Sequence, residues 1–211
     1  MRNYSYSDKF INKSNEILNI LFNIKSSGRD YPADENDECN LSSSNKKLVT
    51  NLMRVNHSGE VSAQGLYIGH ALLAKSTHQK KLMLNMAEEE KDHLEWCEKR
   101  IKELNGKISI FNPIWFTGSI VMGMLSSFYN DKNALGFIEE TENQVTKHLE
   151  EHIKKIPKED LKTLNILKKM KSDEERHRET AHNFGATELP KKIKKIMKVA
   201  ASIMKFVSFK I

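Results

Sequence analysis

Two short units, Glu90-Lys91-Asp92-His93 and Glu174-Glu175-Arg176-His177, restrict this chain more than any other feature. Each holds a Glu and a His three residues apart, which on a helix puts both side chains on one face. One such unit says little, because at this Glu content about one is expected by chance. Glu179 to His182 lies on a different helix face and is read as that accident. The other two units differ in what precedes them. Glu60 stands 30 residues before Glu90, and Glu142 stands 32 before Glu174. The midpoint of the first pair is position 75, within Lys75-Ser76-Thr77, and that of the second is position 158, beside Pro157. In an antiparallel helical hairpin, residues equidistant from the turn lie at the same height. Each hairpin therefore sets one lone Glu level with one Glu-x-x-His, ~22 Å from its turn. The chain repeats one half-site twice.

The rest of the sequence permits these hairpins. Its 211 residues, enough for one domain with a substantial core, include 9 Gly and 4 Pro against abundant Leu, Ile, Met, Lys and Glu. A short amphipathic helix is predicted over about 6–25. The Ser-, Asp- and Asn-rich stretch to residue 45 reads as a polar linker, so residues 1–45 are set apart from a domain over 46–211. Long helices follow at about 46–74, 78–104, 134–155 and 158–183, with Thr77 as a candidate cap and Asn105-Gly106, Pro157 and Gly185 as stops. A last helix is predicted over 191–209. The fold class is all-α: a four-helix bundle of two hairpins with a long crossover.

Stepping by three and four along each helix surrounds the acidic residues with apolar ones. Met53, Tyr67 and Ala71 share a face with Glu60; Met83, Met86 and Cys97 with Glu90 and His93. Leu135, Ile138, Val145 and Leu149 share one with Glu142; Leu167, Met170 and Ala181 with Glu174 and His177. Burying four carboxylates there costs several kcal/mol each unless cations compensate. Two divalent metals would do so, and four carboxylates with two imidazoles is the donor set of di-iron or di-manganese bundles. A single zinc ion would leave buried carboxylates unused. Glu89 and Asp173, each preceding a candidate ligand, are placed to orient a ligand His through its other ring nitrogen. His57, His148 and Tyr67 complete the groups near this level, with a hydrogen-bonded structural role the better reading for each His and core packing the better one for Tyr67.

Residues 108–130 carry no charge. Pro113 to Phe128 would give ~24 Å of helix, short of a ~30 Å hydrocarbon core, so an interfacial or partner-docking helix fits better than a span. The alternative is packing on the bundle itself. In the last helix Ile193, Ile196, Met197, Ala200, Ile203, Met204 and Val207 form one stripe, with Lys191, Lys194, Lys195, Lys198 and Lys205 opposite. That pattern suits an anionic bilayer surface. Net charge is +6, which admits acidic lipid or nucleic acid as partners. No patch interleaves aromatic and basic residues, so a nucleic-acid partner is not expected. Cys39 and Cys97 form no CxxC pair, which argues against a disulfide framework and for a reducing compartment. The N-terminus lacks the long apolar run of a secretory signal.

Four segments, Arg54-Val55-Asn56-His57-Ser58-Gly59-Glu60, Glu88 to His93, Leu135 to Glu142, and Asp173 to His177 continuing through Gly185 to Pro190, resemble the bacterial demethoxyubiquinone hydroxylase family of ubiquinone biosynthesis. The resemblance spans about residues 46–205. It implies a ferritin-like bundle holding two iron ions per subunit on Glu60, Glu90, His93, Glu142, Glu174 and His177. It implies hydroxylation of the ring of a polyprenylated demethoxyubiquinol or its quinone form, with O2 as co-substrate, at the cytoplasmic face of the cell membrane. No GxGxxG occurs, so electrons would come from the quinol, a separately bound reductant or a partner protein. A homo-oligomer or a complex of ubiquinone-biosynthesis enzymes stays open. The other readings are a ferritin-like iron-storage protein and a ferritin-like tRNA hydroxylase.

Overall fold

A computed structural model describes residues 26–36 and 38–211. The helix predicted over about 6–25 lies outside the described residues. Six α-helices stand among those described: α1 Ser43–Leu73, α2 Thr77–Glu103, α3 Asn112–Tyr129, α4 Asp131–Ile153, α5 Leu161–Asn183 and α6 Lys191–Lys210. Four helix starts are capped by a polar side chain that accepts a free backbone N–H. Ser42 accepts from Asn45, Asn130 from Asn133, and Asp160 from Thr163. At α2 the cap is Ser76, which accepts from Gln79, and Thr77 is the first helical residue. Asn105 (φ 59°) and Gly185 (φ 88°) take the left-handed conformation that closes α2 and α5. Both hairpin turns, 74–76 and 154–160, contain the midpoints of the repeated spacing.

α1 and α2 form one hairpin, α4 and α5 the other. α3 runs along the outside of α1, from His57 near its start to His70 near its end. It therefore carries the chain the length of the bundle before α4 turns back. The helix expected at an interface thus packs one face on its own bundle. Glycines allow this: a Cβ on Gly69 would stand 2.3 Å from the Ile120 carbonyl, and one on Gly123 2.3 Å from the Leu66 carbonyl. The opposite face of α3 leaves Ile114, Val121, Leu125 and Phe128 exposed. No described helix is long and apolar enough to cross a membrane.

α6 lies against α1 and α4. Its expected single stripe divides in two. Met197 is buried and Met204 half-buried toward the bundle, while Ile196, Val199, Ile203 and Phe206 face outward. A helix lodged on a bundle buries one narrow strip, and the remaining apolar residues of α6 exceed it.

Two apolar clusters fill the bundle. One joins Leu52, Met53, Trp96, Cys97, Leu149, Leu167 and Met170; the other joins Ala63, Tyr67, Met83, Met86, Ile138 and Ala181. The polar level lies between them along each helix. The described residues of 26–42 include no helix or strand, in keeping with their composition, but they form a packed strap and not a free linker. Tyr31 and Ala33 enter the core, and Glu38 forms a two-pronged pair with the buried Arg100 (2.7 and 3.0 Å).

Replacing Gly123 by Ala should push α3 off α1, because the obstructing atoms are backbone. The expected loss is about 1–3 kcal/mol of unfolding free energy, read from denaturant titration.

Candidate metal centre

Glu60, Glu90, His93, Glu142, Glu174 and His177 meet between the two apolar clusters, each essentially without solvent exposure. α1 and α4 each contribute one carboxylate; α2 and α5 each contribute a Glu and a His from adjacent turns. The imidazoles are oriented alike. His93 Nδ1 points inward, 3.1 Å from Glu174 Oε1, 3.3 Å from Glu90 Oε2 and 3.6 Å from Glu60 Oε2. His177 Nδ1 is 3.1 Å from Glu90 Oε1 and 3.3 Å from Glu174 Oε2. Glu90 and Glu174 thus each offer one oxygen to either imidazole. Glu60 stands on the His93 side and Glu142 on the His177 side, and the donor atoms form two groups that share Glu174.

Several of these atoms are close without being aligned as hydrogen bonds. Glu90 Oε1, both oxygens of Glu174, Glu142 Oε2 and His177 Nδ1 are buried with no hydrogen-bond partner. Buried polar atoms are normally paired. Donor atoms converging on common points, rather than on one another, are what cations would satisfy. Four carboxylates match the charge of two divalent ions, and the oxygen-rich set with two imidazoles suits iron or manganese.

The outward nitrogens are held by carboxylates from the opposite hairpin. His93 Nε2 lies 3.1 Å from Asp173 Oδ2, and His177 Nε2 lies 3.2 Å from Glu89 Oε2. A proton kept on each Nε2 leaves Nδ1 free for a metal. Arg176, to which the sequence assigned no task, pairs with Glu89 and lies 3.2 Å from Asp173. The burial of Glu89 would raise its carboxyl, but hydrogen bonds from His177 and Arg176 outweigh that and bring it down to about 2.

The other expected groups divide. Tyr67 donates from its hydroxyl to Glu142 Oε1 at 2.5 Å. His57 does not face the cluster: its Nδ1 accepts from the Asn112 amide at 3.1 Å, tying α1 to the start of α3. Burial brings His57 down to about 4. His148 meets His152 edge-on, with ring centroids 3.8 Å apart, and belongs to one wall of a neighbouring cavity. Its Nε2 is buried and unpartnered. His182, the residue of the accidental unit, pairs with Glu139 at the surface. Arg29, which no local pattern singled out, reaches Asp173 at 2.6 Å from the strap.

The cavity has a volume of about 380 Å³ and touches Glu60. Its walls are mostly apolar side chains of α1, α3, α4 and α6, and exposed Ile114 and Gly118 of α3 and Lys198 and Ala200 of α6 form its outer rim.

Burial and crowding favour protons on the cluster. Burial, and then the neighbouring carboxylates, raise Glu60 and Glu142 well above the ordinary carboxyl range. Burial disfavours imidazolium at His93 and His177, but the surrounding carboxylates, which favour the charged ring, outweigh it and raise both. All four shifts favour the protonated forms, whereas a metal takes the deprotonated ones. Metal uptake should release protons, and affinity should rise as pH rises. Titration in weakly buffered indicator solution at several pH values measures both; uptake without proton release would contradict this electrostatic picture.

Residues 47–208 match the family described as "Ubiquinone biosynthesis protein COQ7". A 3-demethoxyubiquinol 3-hydroxylase of Legionella pneumophila is 46% identical over 206 residues, covering 97% of each chain. The protein of that name from Chromobacterium violaceum is 42% identical, covering 97% of this chain and 99% of its own. A third, from Xanthomonas euvesicatoria, is 39% identical over 210 residues, covering 100% of this chain and 97% of its own.

Proposed function

The chain belongs to the COQ7 family of ubiquinone biosynthesis proteins, and on that footing we propose that it is a di-iron monooxygenase hydroxylating the ring of a polyprenylated demethoxyubiquinol. The observation that carries this reading is the apolar cavity that ends on Glu60 of the four-carboxylate cluster. A prenylated ring needs an apolar enclosure with one reactive wall. Within that enclosure Trp115 Nε1 and His148 Nε2 are buried without partners. Ring oxygens would pair with them, since a buried indole N–H left unpaired is costly.

Glu60, Glu90, His93, Glu142, Glu174 and His177 would hold two iron ions. When bound, such a pair in the ferrous state supplies two electrons to dioxygen, one of whose atoms enters the ring while the other leaves as water. The chain's own part is positional. Asp173 and Glu89 fix the tautomers of His93 and His177, and the Tyr67 hydroxyl holds Glu142 Oε1. The apolar clusters on either side exclude water from the reacting level. The electrons come from the quinol, a bound reductant or a partner protein.

The exposed apolar faces of α3 and α6 border the cavity rim, and Lys191, Lys195 and Lys198 stand exposed on α6. This supports a peripheral seat at the anionic cytoplasmic face of the membrane, from which a lipid-dissolved substrate enters without crossing water.

The test is complementation of a strain lacking this gene, with quinones extracted and iron counted in the purified protein. The intact gene should restore ubiquinone. Glu142→Ala should hold about half the wild-type iron, and Glu174→Ala almost none, because Glu174 serves both groups of donors. Both variants should accumulate the demethoxy quinone. Normal quinone profiles in both would refute the assignment.

A further inference from the structure

Residues 26–29 of the strap meet the bundle directly behind the candidate metal centre. The hydroxyls of Ser26 and Ser27 donate to Asp92, which is buried on α2 one position before His93. The guanidinium of Arg29 lies 4.9 Å over the Trp96 ring, which itself packs on His93. Arg29 Nε donates to Asp92 Oδ2 at 2.5 Å, and Nη1 to Asp173 Oδ2 at 2.6 Å. Nη2 donates to the backbone carbonyl of Glu89 at 3.1 Å, and Nη1 stands 3.7 Å from the Glu89 carboxylate.

The atom that Arg29 holds on Asp173, Oδ2, is the one that faces His93 Nε2. Arg176 and Lys169 take the other oxygen, at 3.2 and 2.8 Å, and both are about half exposed. Arg29 is more covered, at 25% exposed, and it comes from outside the four bundle helices. Three acidic groups, Glu89, Asp92 and Asp173, thus stand against three cations, one of which the bundle does not own.

We propose that Arg29 is a positioning residue of the metal centre: by gripping Asp173 Oδ2 it orients His93, so that docking of the strap and loading of the centre with metal favour one another. The inference rests on the metal reading of the Glu/His cluster. Carboxylates behind a metal-bound imidazole set its tautomer and basicity, and their loss typically weakens metal binding about 10–100-fold. A coupling of this kind is reciprocal, so bound metal must also tighten the strap. The planar fork bonds to three acceptors in fixed directions, which an ammonium does not reproduce.

The test uses the full chain, stripped of metal, titrated anaerobically with ferrous iron against a competing chelator. Limited proteolysis within the strap is followed with and without iron. Arg29→Gln and Arg29→Lys should each weaken iron binding by about 10–100-fold. Guanidinium, added to Arg29→Ala far below denaturing concentration, should recover much of the loss. Iron should protect the wild-type strap and not that of Arg29→Gln. Glu38→Gln, which frees the other end of the strap from Arg100 without touching Asp92 or Asp173, should keep wild-type affinity. Wild-type affinity in Arg29→Gln overturns the proposal alone, as does an equal loss in Glu38→Gln, which would make the strap mere packing. Absence of iron binding by the wild type overturns the metal reading, and this proposal with it.

Discussion

Four carboxylates sit in the apolar middle of this bundle, and almost everything else in the structure follows from keeping them there. An isolated buried carboxylate is too costly to survive as a charge. Here Glu60, Glu90, Glu142 and Glu174 share two imidazoles whose inward nitrogens stand within 3.1–3.6 Å of carboxylate oxygens. The outward nitrogens are braced crosswise: Asp173 of one hairpin holds His93 of the other, and Glu89 holds His177 in return. Each hairpin thus braces the imidazole of the other. The polar level is therefore also a joint between the two hairpins, with an apolar cluster on each side keeping water away.

That joint requires a crossover, and the crossover explains the asymmetry of the exterior. α3 must travel the length of α1, and glycines at 69 and 123 let the two backbones touch. The narrow contact leaves a second apolar face outside. α6 repeats the arrangement, burying Met197 while Ile196, Val199, Ile203 and Phe206 face out. Between these helices lies the cavity that reaches Glu60. Path of the chain, apolar exterior and access to the reactive level are thus one design, suited to a substrate with a polar ring and a greasy tail.

The ferritin-like bundle and its donor residues were legible early, because they obey local periodicity. A Glu and a His three apart must share a helix face, and equal spacing about a turn must bring residues level. The strap was not legible. Arg29 makes its contacts with Glu89, Asp92 and Asp173 across 60 to 144 positions, and no periodic pattern carries information over such a separation. The partner of His57 was hidden for a related reason. Sitting three residues before Glu60, it has the right spacing, but it bonds Asn112 because α3 happens to pack there.

By itself the sequence determined the helices, the two turns, the doubled half-site and the chemical type of its donors, since each depends on spacing within one hairpin. Only the tertiary structure decided which carboxylates face both imidazoles, which carboxylate braces which imidazole, and what Arg176 and Arg29 touch. It also decided that α3 packs on the bundle while keeping an apolar outer face. These outcomes depend on how separate elements meet, and that is set by packing geometry rather than by any local run of residues. The unit from Asp173 to His177 contains both kinds of information. Its candidate ligands, Glu174 and His177, share a face by their spacing, while the partners of Asp173 and Arg176 became known only once the opposite hairpin and the strap were in place.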